Sequence, residues 1–560
     1  MVSTWQDSDN GWVPGSWGQP GHLQNPTNVT RLARAVSCED KHHHPQIVYY
    51  QAGIGTGIGL WNHVVGGGTG MGLAENVREA YAFLASNYAE HDKLVPNDSI
   101  FLLGFSRGAF TARTLGGFIC AMGILKKKAM AHFYALFEDW ERAGDPAYEP
   151  MFFDNYFEHH HDVKKIKPDA KLAKSKKDRD VYLRHYFELL LELGLTQDVH
   201  INCIGVWDTV GALGIPVNPL LQRVFPGLPS FVRTYRWFDT RLDSDVKNAF
   251  QALALDERRF PFSPAVWERK PDCTSNLQQV WFPGSHSNVG GSYEDAGMAD
   301  ITLAWMMDQL AGNTMAHPED FRAHEWIQFD EEYIKYWSDC SDQWYEKHKQ
   351  EHYKGWARGK VYESNTFPQS LAGQETRVPG RYHGTDYESG KTDLKRLLAN
   401  TNEQIHSSVR ARIDMGARGV EPDWSQVFPH GLELRPLVVW LWRRMIGSGP
   451  RVYQPQIDGP LHGWKLVDGH SSHADPNWEI NMSPVDSRPA GLKEVQWVYE
   501  GNGKATNQAA FKAMPEAKLG KYERRLLEKD QRMADKVEFT NNRWHWFRKD
   551  ERRPAHGRTF

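Results

Sequence analysis

SIFLLGFSRGAFTARTLGGFI, residues Ser99 to Ile119, is the stretch whose reading decides the fold. Ile100, Phe101, Leu102 and Leu103 form a continuous apolar run, too short for an ordinary helix and bounded by Asn97-Asp98 and Gly104, which predicts a buried strand. Beyond Gly104-Phe105-Ser106-Arg107-Gly108 the spacing turns helical, with Phe110, Thr114, Leu115 and Phe118 on one face. Ser106 therefore sits where a strand hands over to a helix, the setting of a nucleophile elbow. Glycines two residues either side let strand and helix approach without a Cβ clash. The amide of Arg107 falls at the helix start, where the orientation of the N–H groups and the helix dipole favour a developing oxyanion.

Working outward, Leu73, Val77, Ala80, Leu84 and Tyr88 share one face of an amphipathic helix that leads into the Ser106 strand. Before it, Gln46 to Tyr50 reads as a buried strand followed by the glycine-rich Gly53 to Gly57, which lacks a P-loop lysine and GxGxxG spacing. Alternating strands and helices predict a mostly parallel sheet covered on both faces. Downstream, residues 126–199 change composition, with a Lys126-Lys127-Lys128 run, a His159-His160-His161 run and a helical pattern from Tyr182 to Leu195. Such an insertion is either a lid over the site or a helical excursion.

The sheet resumes at His200 to Trp207, and Asp208 follows at the strand's carboxyl end, the ligand-binding edge of an open α/β sheet. Asp239, Asp243, Asp245 and Asp256 rival it for the role of catalytic acid. Gln278 to Phe282 is a further strand running into PGSHSNVGG, which can bring His286 onto the same edge. The order Ser106, Asp208, His286 is that of α/β hydrolases, distinct from the chymotrypsin and subtilisin orders.

Composition narrows the classes. With 560 residues the chain exceeds a single ordinary core, and 40% hydrophobic content supports a large interior. A formal net charge of −4 gives no electrostatic case for nucleic acid. Five scattered cysteines, an odd number without CxxC spacing, suggest neither a disulfide framework nor a zinc knuckle. The His42-His43-His44 run reads as solvated loop, since three adjacent histidines cannot all face one metal. No apolar leader or run of 18 apolar residues occurs, so the expectation is a cytoplasmic protein. Past a helix at Met298 to Leu310 the chain becomes rich in Trp, His and charge, with helices expected over 331–349, 391–400 and 403–415. Leu437 to Met445 is either a core element or a lipid-facing one.

Several segments together are familiar: GFSRGAF at 104–110, GVWDTVGALG at 205–214, FPGSHSNVGG at 282–291, with TWQDSDNG at 4–11, YYQAGIGTG at 49–57 and ALALDERRFPFSP at 252–264. They resemble the fungal and bacterial α/β-hydrolase domain family that includes the type VI secretion phospholipase effectors. The resemblance implies catalytic Ser106, Asp208 and His286, a lipid or other carboxylic ester as substrate, and a second oxyanion donor from the backbone near Thr4 and Trp5. Two departures stand out. Met1-Val2-Ser3 replaces the apolar strand that usually precedes Thr-Trp, and Gln251 stands where many relatives carry histidine.

The expectation is thus an α/β-hydrolase-like domain over 1–310, with a helical insertion at 126–199, followed by a mainly helical region over 311–560. Its function reads as serine ester hydrolysis by an acyl-enzyme route that requires no metal or organic cofactor. Peripheral membrane contact is compatible with a lipid substrate. The alternative, motivated by the shortened opening, is a silent hydrolase fold that binds or scaffolds.

Overall fold

The computed structural model describes residues 12–13, 22–23, 25–51, 69–89, 98–160, 166–175, 177–210, 241–313, 326–364, 373–385, 392–422, 452–467, 496–499, 513–530, 539–540 and 543–544. Its centre is a five-stranded sheet of β1 (Phe101–Phe105), β2 (Ile201–Trp207), β3 (Val246–Ala254), β4 (Asn276–Phe282) and β5 (Glu403–Ile405). The strands lie side by side in the order β5-β4-β3-β2-β1, every neighbouring pair parallel. Parallel strands need crossovers, and the helices that make them cover both faces.

Alternation along the strands divides the core in two. Leu102, Ile204 and Val206 face one apolar cluster, while Leu103, Phe105, Cys203 and Trp207 face another. The first cluster is built with α2 (Thr69–Asn87) and α3 (Arg107–Met122), and the second with α1 (Asn28–Ala35). The predicted strand-to-helix handover at Ser106 is present, with Phe110, Thr114, Leu115 and Phe118 all buried on α3.

The helical insertion joins the first cluster. The Phe118 ring meets Phe133, Phe137 and Trp140 from α4 (Phe133–Glu141) at centroid distances of 5.4, 5.3 and 5.4 Å. Buried Asp139 accepts from the hydroxyls of Tyr148 at 2.7 Å and Tyr186 at 2.8 Å. The second bond ties α4 to α6 (Arg179–Glu192), whose Tyr186 ring also packs on Phe153 of α5 (Phe152–His159) at 4.7 Å.

Helix α7 (His286–Gly290) starts within the loop after β4, and α8 (Gly297–Leu310) is buried along its length. The remaining long elements are α9 (Glu331–Lys347), α10 (Ser407–Asp414) and α11 (Lys521–Glu528). The C-terminal half also enters the sheet, because β5 pairs with β4 from Gln279↔Glu403 to Trp281↔Ile405.

Three local expectations differ. Gln46 to Tyr50 forms no ladder: the Gln46 amide donates to Cys38 O at 2.8 Å, its side chain donates to Ser37 O and Gln328 O, and Ile47 is 68% exposed. Lys391 to Asn400 is not a helix; Thr392–Leu397 is a strand antiparallel to His383–Thr385, with Arg396 anchored on Glu268 at 2.9 Å. Residues 403–415 split into β5 and α10, because His406 caps the helix through Nδ1, which accepts from Ser408 N at 3.2 Å. In each case tertiary pairing overrides a local pattern. Gly53 to Gly57 and Leu437 to Met445 lie outside the described residues.

A buried polar knot fastens α11 to the core. Asp308 on α8 accepts from Tyr522 N at 2.9 Å and Glu523 N at 3.0 Å, and Glu523 lies 2.8 Å from His406 Nε2. All three side chains are buried. Burial pushes the Glu523 carboxyl up to about 8, against the pull of the Gly520 N–H, and pushes His406 down to about 3. Both groups are therefore neutral at pH 7, and because Nδ1 accepts from Ser408 N, the imidazole hydrogen sits on Nε2 and is donated to Glu523 Oε1.

Two predictions follow from this packing. A Cβ on Gly104 would overlap the Gly108 carbonyl carbon at 2.5 Å and the Ala109 amide nitrogen at 2.6 Å, all backbone. Gly104→Ala should therefore destabilise the chain by about 3 kcal/mol, read by denaturant unfolding. A carboxyl raised on folding stabilises below its unfolded pKa, and that stability is lost as pH rises through the folded value. Wild type should thus lose stability relative to Glu523→Gln between about pH 4.5 and 8, by up to about 1.4 kcal/mol per pH unit. Melting curves that stay parallel across that range would refute the neutral pair.

Candidate active site

The carboxyl ends of β1, β2 and β4 lie along one edge, and each delivers one predicted residue. Ser106 N donates to Trp207 O at 3.0 Å, and Asp208 N donates to Ala252 O at 2.7 Å, so the residues just past β1 and β2 stay in register. Leu255 N donates to Phe282 O at 2.8 Å, which carries the alignment across to β4.

Ser106 has φ 59° and ψ −120°, a conformation that side chains other than glycine rarely adopt. Close approach of β1 to α3 at Gly104 and Gly108 holds it there. The φ of Asp208 is also positive, at 41°, where the chain leaves the sheet.

His286 is the first residue of α7. Its Nδ1 lies 2.6 Å from Asp208 Oδ2, and its ring packs between Phe105 at 4.6 Å and Phe262 at 4.8 Å. Phe105 immediately precedes Ser106, so the imidazole abuts the turn that carries this serine. A Cβ on Gly290 would run into the Phe105 ring, and only glycine lets α7 come this close. An ionised carboxylate can only accept, so Nδ1 carries the hydrogen and Nε2 has the free lone pair. Nε2 is buried and makes no hydrogen bond among the described residues.

Asp208 is fully buried and surrounded by donors. Oδ1 accepts from Ala254 N at 2.9 Å and Arg377 Nη1 at 2.5 Å, while Oδ2 accepts from Arg377 Nη2 at 3.0 Å in addition to His286. Burial works to raise its pKa, but the Arg377 charge and the His286 hydrogen bond outweigh it and hold the carboxyl well below the usual carboxylate range. For His286 the balance is reversed: burial lowers the imidazole below its ordinary value in spite of Asp208.

A second layer fixes the histidine's backbone. Glu257 Oε2 accepts from His286 N at 3.2 Å and from Arg259 Nη2 at 2.9 Å, and Oε1 accepts from Ser364 Oγ at 2.7 Å. Although burial opposes ionisation, Arg259 brings Glu257 down to about 2. Arg259 in turn stacks over Phe262 at 3.6 Å. Gln251 is buried and donates to Gln279 Oε1 at 3.0 Å and Ala265 O at 3.1 Å, while accepting from Thr209 Oγ1 at 2.6 Å. That position cross-links β3, β4 and the loop after Asp208.

Of the rival acids, Asp256 is occupied elsewhere, accepting from Gly284 N at 2.6 Å and Tyr453 OH at 3.0 Å. Asp243 accepts from the Asp245 amide at 3.1 Å, away from His286, and Asp239 lies outside the described residues. Arg107 opens α3 directly after Ser106, its guanidinium lowered to about 10 by burial. Trp5 lies outside the described residues. Among the described residues no three His, Cys, Asp or Glu side chains converge as metal ligands, and no helix is long and apolar enough to cross a membrane. Sequence reasoning missed Glu257, Arg259 and Arg377. The first two lie within the ALALDERRFPFSP segment, whereas nothing around Arg377 signalled its destination.

Comparison with known proteins places the chain among relatives. An uncharacterized protein of Saccharomyces cerevisiae, YEL023C, is 25% identical over 261 residues, covering 44% of this chain and 30% of the relative. The match thus spans less than a third of that relative's length. Two solved structures are also similar. The Tle1 effector bound to the VgrG spike of the type 6 secretion system has 21% identity, covers 48% of this chain and 41% of its own, and gives a TM-score of 0.22. An uncharacterized protein from Pseudomonas aeruginosa has 16% identity, with coverages of 62% and 50% and a TM-score of 0.28. Residues 4–309 match the model of the type VI secretion phospholipase effector Tle1-like catalytic domain, and the chain belongs to that family of phospholipase-type hydrolases.

Proposed function

We propose that the chain hydrolyses lipid carboxylic esters through an acyl-enzyme on Ser106. The observation that carries this reading is the 2.6 Å bond between His286 and a buried, ionised Asp208, with the imidazole packed against the residue preceding Ser106. Ser106 Oγ attacks the ester carbonyl while His286 Nε2 takes its proton. The tetrahedral oxyanion is held by the Arg107 amide and, by family resemblance, by the backbone near Trp5. Collapse expels the alcohol, which receives the proton from His286. Water then attacks the acyl-serine with the same histidine as base, releasing the carboxylic acid and restoring the serine. Asp208 keeps the imidazole in the Nδ1–H tautomer and stabilises its cation. In the free protein Nε2 has no described hydrogen-bond partner, Ser106 included; the pair closes when substrate fills the site. The C-terminal half belongs to the working unit in this reading, since Arg377 sits on the catalytic acid.

Fluorophosphonate labelling tests the proposal directly. Wild type should be labelled and Ser106→Ala should not. His286→Gln and Asp208→Asn should each slow hydrolysis of a long-acyl ester by about 10⁴-fold. Folded wild type that resists the probe would favour the binding or scaffolding alternative. Because burial keeps the imidazole neutral, the acid limb of kcat/KM should fall below about pH 6.5. A limb above pH 7 would contradict the assignment of His286 as a desolvated base.

A further inference from the structure

Arg377 lies outside the family-matched residues 4–309, yet it makes the most extensive contact with the candidate acid. Its guanidinium is buried and bonds four times: to both oxygens of Asp208, to Ala254 O at 2.7 Å and to Phe262 O at 2.7 Å. The two carbonyls aim the fork, and the fork fixes the plane of the carboxylate whose other contacts are Ala254 N and His286. Resting on the reading of His286 as general base, we infer that Arg377 is a positioning residue that orients Asp208 and tempers the negative charge it presents to the imidazole.

The sign of its effect follows from counting charges. Around His286 lie Asp208 and Arg377 on one side and Glu257 and Arg259 on the other, two opposite pairs that cancel. Glu257 and Arg259 are bonded to each other at 2.9 Å. Tyr382, its phenol pushed up by burial, faces Arg377, and Tyr293 faces Arg259. Without Arg377 the imidazole would border an uncompensated anion. Whether the extra proton then resides on Asp208 or His286, the pair as a unit binds it more tightly. The pair therefore becomes an acid trap, and the base is lost at a higher pH.

The test uses the full chain. Rates of fluorophosphonate labelling of Ser106 are measured from pH 5 to 9 for wild type, Arg377→Gln and Arg377→Lys. In parallel, the His286 imidazole is titrated by NMR in histidine-labelled protein, its signal assigned by loss in His286→Gln. The acid limb should move upward by about one to three pH units in Arg377→Gln. Labelling one unit above the wild-type limb should consequently drop by about two- to ninetyfold, according to the size of the shift, and recover at high pH. Arg377→Lys keeps the charge and loses the fork, so its limb should stay within about half a unit of wild type while the plateau falls.

A limb that does not move in Arg377→Gln, with activity merely reduced, marks a structural strut and overturns the inference. So does an Arg377→Lys limb displaced as far as that of Arg377→Gln. If Arg377→Gln fails to fold, the wild-type imidazole decides: a titration above pH 7 overturns the inference, and one below about 6.5, matched by Arg377→Lys, supports it. Should wild type resist the probe at every pH, the hydrolase reading falls, and the NMR titrations still judge the coupling of Arg377 to His286.

Discussion

A carboxylate with no access to water must be surrounded by donors, and much of this molecule can be understood as the means of surrounding Asp208. Left unpaired at such a depth, the charge would cost several kcal/mol. The chain meets that demand with four donors from three residues: the Ala254 amide at the end of β3, the imidazole that opens α7, and both arms of Arg377. Each donor has its own fastening. Glu257 holds the histidine's backbone, and the Ala254 and Phe262 carbonyls hold the arginine. Breaking one member exposes the rest, which is why a buried ionic cluster specifies its geometry more sharply than apolar packing does.

The serine corner is under a different constraint, steric rather than electrostatic. Its positive φ is imposed by a strand and helix whose backbones nearly touch at Gly104 and Gly108. Strain of this kind persists only where the surroundings over-determine it. Here the over-determination comes from the first buried cluster, which clamps β1 and α3 together, while the second holds the other face of β1 through Leu103 and Phe105.

How far the sequence foretold all this depended on the range of the forces involved. The elbow, the parallel sheet and the residues ending β1, β2 and β4 were legible because each is written in a local pattern: an apolar run, a change of period, a glycine at a turn. Asp208 could be preferred over Asp256 only by its place at a strand end, and the structure shows Asp256 engaged with Gly284 and Tyr453. Arg377 was illegible because a buried arginine and a surface arginine look alike in a row of letters; its partner is 169 positions away. Thr392–Leu397 misled for a related reason. TDLKRL has no strong period, and a hairpin partner at His383–Thr385 settles its state. Gln251 stood out only as a departure from its relatives, while its actual work is to bridge two adjacent strands through Gln279.

The short strand Glu403–Ile405 has an implication for biogenesis. It is the outer neighbour of β4, the strand that leads to the histidine, and Trp281 Nε1 donates to Glu403 Oε1 at 2.9 Å across that seam. A nascent polypeptide leaving the ribosome therefore carries the serine, the aspartate and the histidine long before their sheet is closed. Until residue 405 emerges, β4 presents an open hydrogen-bonding edge, the kind of surface that recruits chaperones or other nascent chains. The strand that covers this edge thus comes from a part of the chain synthesised after all three of those residues.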